Sequence, residues 1–206
     1  MASGKSSKTR KVNPASLPVQ MEVAARLVLA NAQSLKLSGR VMGLDLALRD
    51  TGVVILSEFG HLLRSYTLQF HLARERGGPP ISEAEKIERL INLTNEIVGL
   101  AKQYKVRYVA LEGYAHNKRF QAHQIGEVAG NVKVQLWLAR QILVDVVPIM
   151  TGRKHLFGYG KAKKDDCFDI LTDKLGLVFS SNHETDAYVV GRYLWDLAVR
   201  REKGLM

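Results

Sequence analysis

The chain has 206 residues, 46% hydrophobic and 24% charged, which suits one domain with a substantial core plus an appendage. Thirty Lys and Arg against 20 Asp and Glu give a net charge of +10, a balance that attracts polyanions, nucleic acid above all. One cysteine, Cys167, excludes an internal disulfide and a multi-cysteine zinc site, and no apolar run approaches the roughly 18–20 residues of a membrane span.

Met1–Gln20 has no continuous apolar stretch, so a secretory signal is not expected. An intracellular setting follows: cytoplasm or nucleoid, or a phage-infected host cell. A transit segment has a similar composition, so organelle import stays open. The charge is unevenly spread. Residues 1–39 hold six basic side chains against Glu22, and residues 118–164 hold nine against Glu127 and Asp145. One such block reads as a solvated basic face; two around an acidic constellation favour DNA or RNA.

In chain order, residues 2–16 are polar and basic and read as a disordered arm. Residues 18–36 place Val19, Val23, Ala24, Leu27, Val28 and Ala30 at near-helical spacing, predicting an amphipathic helix that ends before Ser38-Gly39. Residues 1–39 therefore form an appended arm and helix, and residues 40–206 the main domain. Val41–Leu48 and Gly52–Ser57 read as strands joined by a turn at Arg49-Asp50-Thr51-Gly52, with His61–Phe70 as a third. Arg74–Pro80 reads as a loop. Ser82 and Glu85 have capping-box spacing, opening a helix whose buried stripe would be Ile87, Leu90, Ile91, Ile97, Leu100, Ala101 and Tyr104.

Val106–Leu111 reads as a buried strand, residues 121–141 as a helix, and Leu143–Ile149 as another strand. Asp165–Leu175 reads as a helix stopped by Gly176, and His183–Arg201 as the last helix. Three strands followed by alternating helix and strand imply an α/β sheet covered by helices on both faces.

Three carboxylates carry the chemistry. Asp45 interrupts the apolar strand Val41–Leu46, where a charge is disfavoured unless paired or metal-bound. Glu112 closes Tyr108–Leu111 at a strand's carboxyl end, the edge where open α/β sheets place ligands. Asp186 falls in the first turn of the last helix and shares a face with His183, whereas Glu184 points about 100° away. Taken alone, Asp186 reads first as a carboxylate answering the helix dipole. Glu112 reads equally as a surface residue, and His183 as a cap-region histidine. Asp45 alone resists a purely structural reading. Together they suit Mg2+, with Mn2+ as substitute. Two such ions about 3.5–4 Å apart can activate water and stabilise the leaving oxygen of a phosphodiester.

Met42-Gly43-Leu44-Asp45 followed by Asp50-Thr51-Gly52 resembles the first element of RuvC-type Holliday junction resolvases, with Leu46-Ala47 standing where the family has Pro-Gly. Leu111–Lys118 resembles the second element, an acid followed by an aromatic and an Asn-Lys pair. Gln124–Gly130 resembles the family's Leu-Gly-x-x-x-Gly helix. Gly158–Lys164 resembles Gly-x-Gly-x-Ala-x-Lys, and His183–Ala187 the closing His/Asp-x-x-Asp-Ala pattern. Each motif is weak alone, but the five occur in order between Arg40 and Trp195.

The resemblance implies a ribonuclease H-like fold, with a mixed five-stranded sheet and helices on both faces. It implies a homodimeric endonuclease, independent of membranes, that places paired symmetric nicks in four-way DNA junctions. Asp45, Glu112 and Asp186 would bind metal, with His183 as a fourth ligand or acting on the attacking water, and Lys164 would join them in catalysis. Arg153 and Lys164 match lysines that face DNA, and Lys154, Lys161 and Lys163 belong to the same basic stretch. In the loop after Glu112, Tyr114 and Phe120 could stack on an unpaired base at the junction centre, while Asn117, Lys118 and Arg119 could contact phosphates. Two other readings stay open: a nuclease of the same superfamily acting on flaps or RNA–DNA hybrids, and a non-catalytic DNA-binding module.

Overall fold

Val41–Leu44 and Val53–Leu56 are buried residue after residue, so the strands they form must be covered on both faces. The computed structural model, which describes residues 16–31, 35–69, 82–113, 119–140 and 142–205, shows how. Strands β1 (Arg40–Asp45), β2 (Asp50–Leu56) and β3 (Leu62–Gln69) form an antiparallel meander. Strands β4 (Val106–Glu112) and β5 (Leu143–Val147) extend it in parallel beyond β1, giving the order β3-β2-β1-β4-β5. The result is an α/β fold on a mixed five-stranded sheet.

Alternating strand residues feed two cores. Val41, Val54, Leu56 and Ala110 pack with α6 (Asn182–Glu202), α4 (Ile149–Phe157) and α1 (Leu17–Asn31). Helix α5 (Lys164–Asp169) and the π-helical turn Ile170–Lys174 complete this side. Met42, Leu44, Val53 and Ile55 pack with α2 (Glu83–Gln103) and α3 (Arg119–Arg140) on the other. Helix α2 opens with the capping box predicted for Ser82 and Glu85. Gly176 adopts a left-handed φ of 71°, and its amide donates to Thr172 O, closing the turn after α5 as expected.

Some expectations shift. The β1–β2 connection falls at residues 46–49, because Asp50 to Gly52 already pair with Gln69 to Thr67 of β3. Helix α1 buries Met21 and Ala25, leaving Val19, Val23 and Leu27 exposed. Its apolar residues occupy two sides, and the ridge with small Ala25 is the one that seats on α4 and the π turn. Helix α2 likewise buries Leu93, Thr94, Ile97 and Ala101, with Ile87 and Ile91 exposed near its start. Helix α4 lies where no helix was expected. It has nine residues and a central Gly152, both poor helix signals. That glycine is required by packing, since a Cβ there would lie 2.8 Å from Val189 Cγ1 of α6. The arm at residues 2–15 and the loop Arg74–Pro80 lie outside the described residues.

Two glycines set the position of α6. A Cβ on Gly43 would meet Ala187 O at 2.0 Å, and one on Gly52 would meet His183 O at 2.1 Å. The first turns of α6 thus rest directly on the backbone of β1 and β2. Gly43→Ala should lower stability in urea by about 1–3 kcal/mol or more, the scale of overpacking a closed interface. Gly99→Ala is the control: no described atom lies within 4 Å of its Cβ position on α2, so a gain of roughly 0.5–1 kcal/mol is expected.

Candidate metal centre

The glycine contact brings three elements to one point. Asp45 ends β1, Glu112 ends its parallel neighbour β4, and Asp186 sits one turn into α6. Each offers an oxygen, all within 4.8 Å of one another. Asp186 is 1% exposed and Asp45 8%, so the cluster is shielded from water on most sides. Oxygen-only carboxylate donors suit hard cations.

Cationic groups brace this cluster from one flank. Arg153 Nη2 donates to Asp186 Oδ1 at 2.7 Å, and its Nη1 donates to Ala162 O at 2.8 Å. Lys164 Nζ lies 2.6 Å from Asp186 Oδ2. The Lys164 contact is close but off the hydrogen-bonding direction, leaving Oδ2 without a directed donor among the described residues. Burial works against the charge of both cations, but the adjoining Asp186 carboxylate outweighs it and holds both pKa values above normal.

His183 meets a different acid, its Nδ1 2.7 Å from Asp45 Oδ2. That bond raises the histidine pKa against its partial burial. It directs the ring at Asp45, and the three-carboxylate cluster forms without it. Glu184 faces elsewhere. Its carboxylate accepts from Thr67 Oγ1 and the Ser180 amide, tying the start of α6 to β3, as its angle on the helix predicted.

Glu112 is left over. Its Oε2 is buried without a hydrogen-bond partner among the described residues. Burial, followed by the charges of Asp45 and Asp186, pushes its pKa up to about 9. A buried acceptor with no protein donor, facing two further carboxylates, fits a site for a divalent cation.

The turn after Asp45 needs neither Pro nor Gly. Thr51 Oγ1 donates to Ala47 O at 3.1 Å and accepts from Ala47 N at 3.3 Å, closing the connection in their place. The sequence reading placed Thr51 in the turn and in a motif without a bonding role; a threonine four residues after Ala47 was the available signal.

The basic residues divide. Lys154, Lys161 and Lys163 are exposed on α4 and the segment leading to α5, and the Lys164 side chain is half-exposed. Arg153, expected to face DNA, is 8% exposed and directs its guanidinium at Asp186 and Ala162. A basic residue inside a basic stretch gives no sign that it points inward. Tyr114, Asn117 and Lys118 lie outside the described residues. Arg119 and Phe120 begin α3, and their side chains are likewise outside. No described helix is long and apolar enough to cross a membrane.

Scans against protein-family models and against curated protein sequences find no match. Solved structures do match. The chain is 19% identical to Thermus thermophilus RuvC in its complex with a Holliday junction substrate, with TM-score 0.61 over 78% of this chain and 97% of that one. A second Thermus thermophilus RuvC structure gives 18% identity and TM-score 0.58 over 77% and 95%. The yeast mitochondrial Holliday junction resolvase Ydc2 gives 10% identity and TM-score 0.55 over 95% and 98%. The chain therefore has the RuvC-like form of the ribonuclease H-like fold.

The electrostatics of Glu112 make stability depend on pH. Its folded pKa lies near 9 against an ordinary 4.5, so its contribution is intact below pH 4.5 and lost progressively up to about 9. His183, also raised, adds a loss above its ordinary 6.5. In chelator, the melting temperature should fall between pH 5 and 9, and Glu112→Gln should flatten most of that slope. Mg2+ should raise the wild-type melting temperature more at pH 9 than at pH 6. An unchanged slope in the Gln variant would refute this account of Glu112.

Proposed function

We propose that the chain is a metal-dependent endonuclease that resolves four-way DNA junctions by paired symmetric nicks. The observation that carries this reading is the meeting of Asp45, Glu112 and Asp186 at the carboxyl edge of β1 and β4, flanked by Lys164, in a chain with net charge +10. Likeness to structures named as Holliday junction resolvases, one of them bound to its substrate, supports the choice of branched DNA.

Asp45, Glu112 and Asp186 would hold the metal, Mg2+ or Mn2+, two ions per site. The ions would supply water activation and charge stabilisation at phosphorus. Arg153 fixes the rotamer of Asp186 from inside the fold, a positioning role. Lys164, half-exposed beside that carboxylate, is placed to meet a phosphate oxygen. His183, holding Asp45 through Nδ1, leaves Nε2 free to take up a proton from attacking water. Lys154, Lys161 and Lys163 would bind backbone phosphates and set register. Tyr114 and Phe120 would stack on an unpaired base at the junction centre, and Asn117, Lys118 and Arg119 would contact phosphates.

The second protomer would pack against α3. Val134, Trp137 and Leu138 are exposed on that helix, and Gly126 and Gly130, two turns and one turn before Val134, have no described atom within 4 Å of where a Cβ would lie. An apolar stripe next to small residues suits close approach of a twofold-related copy.

Two experiments test the reading. Asp45→Asn and Asp186→Asn should keep junction binding while cutting the nicking rate by at least about 10²–10³-fold, the scale of losing one group that stabilises transition-state charge. Wild-type products mapped on all four strands should show nicks at symmetry-related positions; preference for a flap or an RNA–DNA hybrid would overturn the substrate. Trp137→Glu should shift the chain from dimer to monomer in sedimentation velocity and abolish paired nicking, and a variant that stays dimeric would remove α3 from the interface.

A further inference from the structure

A second cleft opens beside the carboxylate cluster, on the other side of the β1–β2 connection. Helices α2 and α3 are pinned to each other where Asn131 Nδ2 donates to Thr94 Oγ1 at 2.9 Å. Towards both N-termini they enclose a cavity of about 550 Å³, walled by Leu48, Leu90, Leu93 and Val128. That volume lies in the range that buries a small organic ligand. The acids lining it are already matched: Glu83 to Lys86, and Glu127 to His123. Arg89 also lines it and feels the charge of Asp50, yet its Nη2 is buried at the cavity with no hydrogen-bond partner among the described residues.

We propose that this cleft binds one unpaired nucleotide of a DNA strand, with the base against the apolar walls and its phosphate on Arg89. Burial, and then the charge of Arg49, lower the Arg89 pKa, and the charge of Asp50 offsets them only in part. A phosphate oxygen on the Arg89 guanidinium would supply the missing acceptor and offset both effects. The aliphatic walls accept the flat face of any base, and Gln124, also on the lining, offers an amide to a base edge. Leu48 is three residues beyond Asp45, and three extended residues span at most about 10 Å, so this wall of the cleft lies within that reach of the end of β1. Such a site would hold a strand that has left its duplex, which a junction centre provides. The inference rests on the reading of the chain as a DNA enzyme.

The test uses the full chain in chelator and end-labelled dT4, followed by fluorescence anisotropy. Arg89→Gln should weaken dT4 binding about tenfold to a hundredfold, as expected for losing a hydrogen bond to a charged group. An abasic tetramer with the same phosphates should bind the wild type with a comparable deficit. Should the Arg89 variant misfold, tetramers carrying 4-thiothymidine should photocross-link the unaltered chain on peptides containing Leu90 or Val128. Equal dT4 affinity in a folded Arg89→Gln, equal affinity for the abasic tetramer, or cross-links mapping elsewhere would each overturn the proposal. Junction nicking scored in parallel separates the two ideas. Nicking without Arg89-dependent dT4 binding refutes the cleft alone, whereas the binding without nicking refutes the nuclease reading and leaves the cleft standing.

Discussion

Everything at the carboxylate cluster depends on how closely α6 approaches the sheet. Ala187 O and His183 O occupy the space that side chains on Gly43 and Gly52 would need. Gly191 continues the contact, its Cβ position 3.2 Å from Gly43 Cα. With side chains at these points, α6 would stand off by the thickness of a methyl group or more, and Asp186 would leave the reach of Asp45 and Glu112. The same closeness excludes water from the carboxylates, which is why their charges interact so strongly. Geometry and electrostatics at the cluster thus have one cause, and it is a backbone contact.

Three acids in a dry site would oppose folding if nothing balanced them. The fold balances them unequally. Asp186 receives Arg153 and Lys164, Asp45 receives His183, and Glu112 receives no described donor. Arg153 matters here because it is inside: a lysine at this place could not serve Asp186 and the Ala162 carbonyl with two divergent N–H groups at once. The imbalance raises the Glu112 pKa and favours its protonated form, so a cation bound there would displace that proton and the two events would be linked.

The cluster was legible in the sequence to the extent that each acid broke a local pattern. Asp45 interrupts an apolar strand and Glu112 ends one, and both signals need only neighbouring residues. Their meeting with Asp186, 141 positions beyond Asp45, is a tertiary fact: it rests on Gly43 and Gly52, which look like ordinary strand glycines until α6 is in place. The inward turn of Arg153 was hidden for a different reason, since side-chain direction in a short helix is decided by what packs against it. Helix α4 itself was invisible because the glycine that weakens its propensity is the one that its packing requires. For α1 and α2 the helices were readable and the buried faces were not, because each carries apolar residues on more than one side and only the partner selects among them.

The departure at Leu46-Ala47 shows how such a site tolerates change. A Pro-Gly pair directs a chain out of a strand by fixing φ at one residue and freeing it at the next. Here no positive φ is used: the backbone of Ala47 is held at both its N–H and its C=O by one buried hydroxyl, Thr51 Oγ1. The hydroxyl sits on β2, whose register against β1 is fixed by Leu44 opposite Val53 and Asp45 opposite Gly52. The exit from β1 is therefore tied to the strand pairing itself rather than to a rigid turn residue. Asp45 keeps its direction as long as the ladder holds, and the turn sequence is free to supply Leu48 to the wall of the neighbouring cleft.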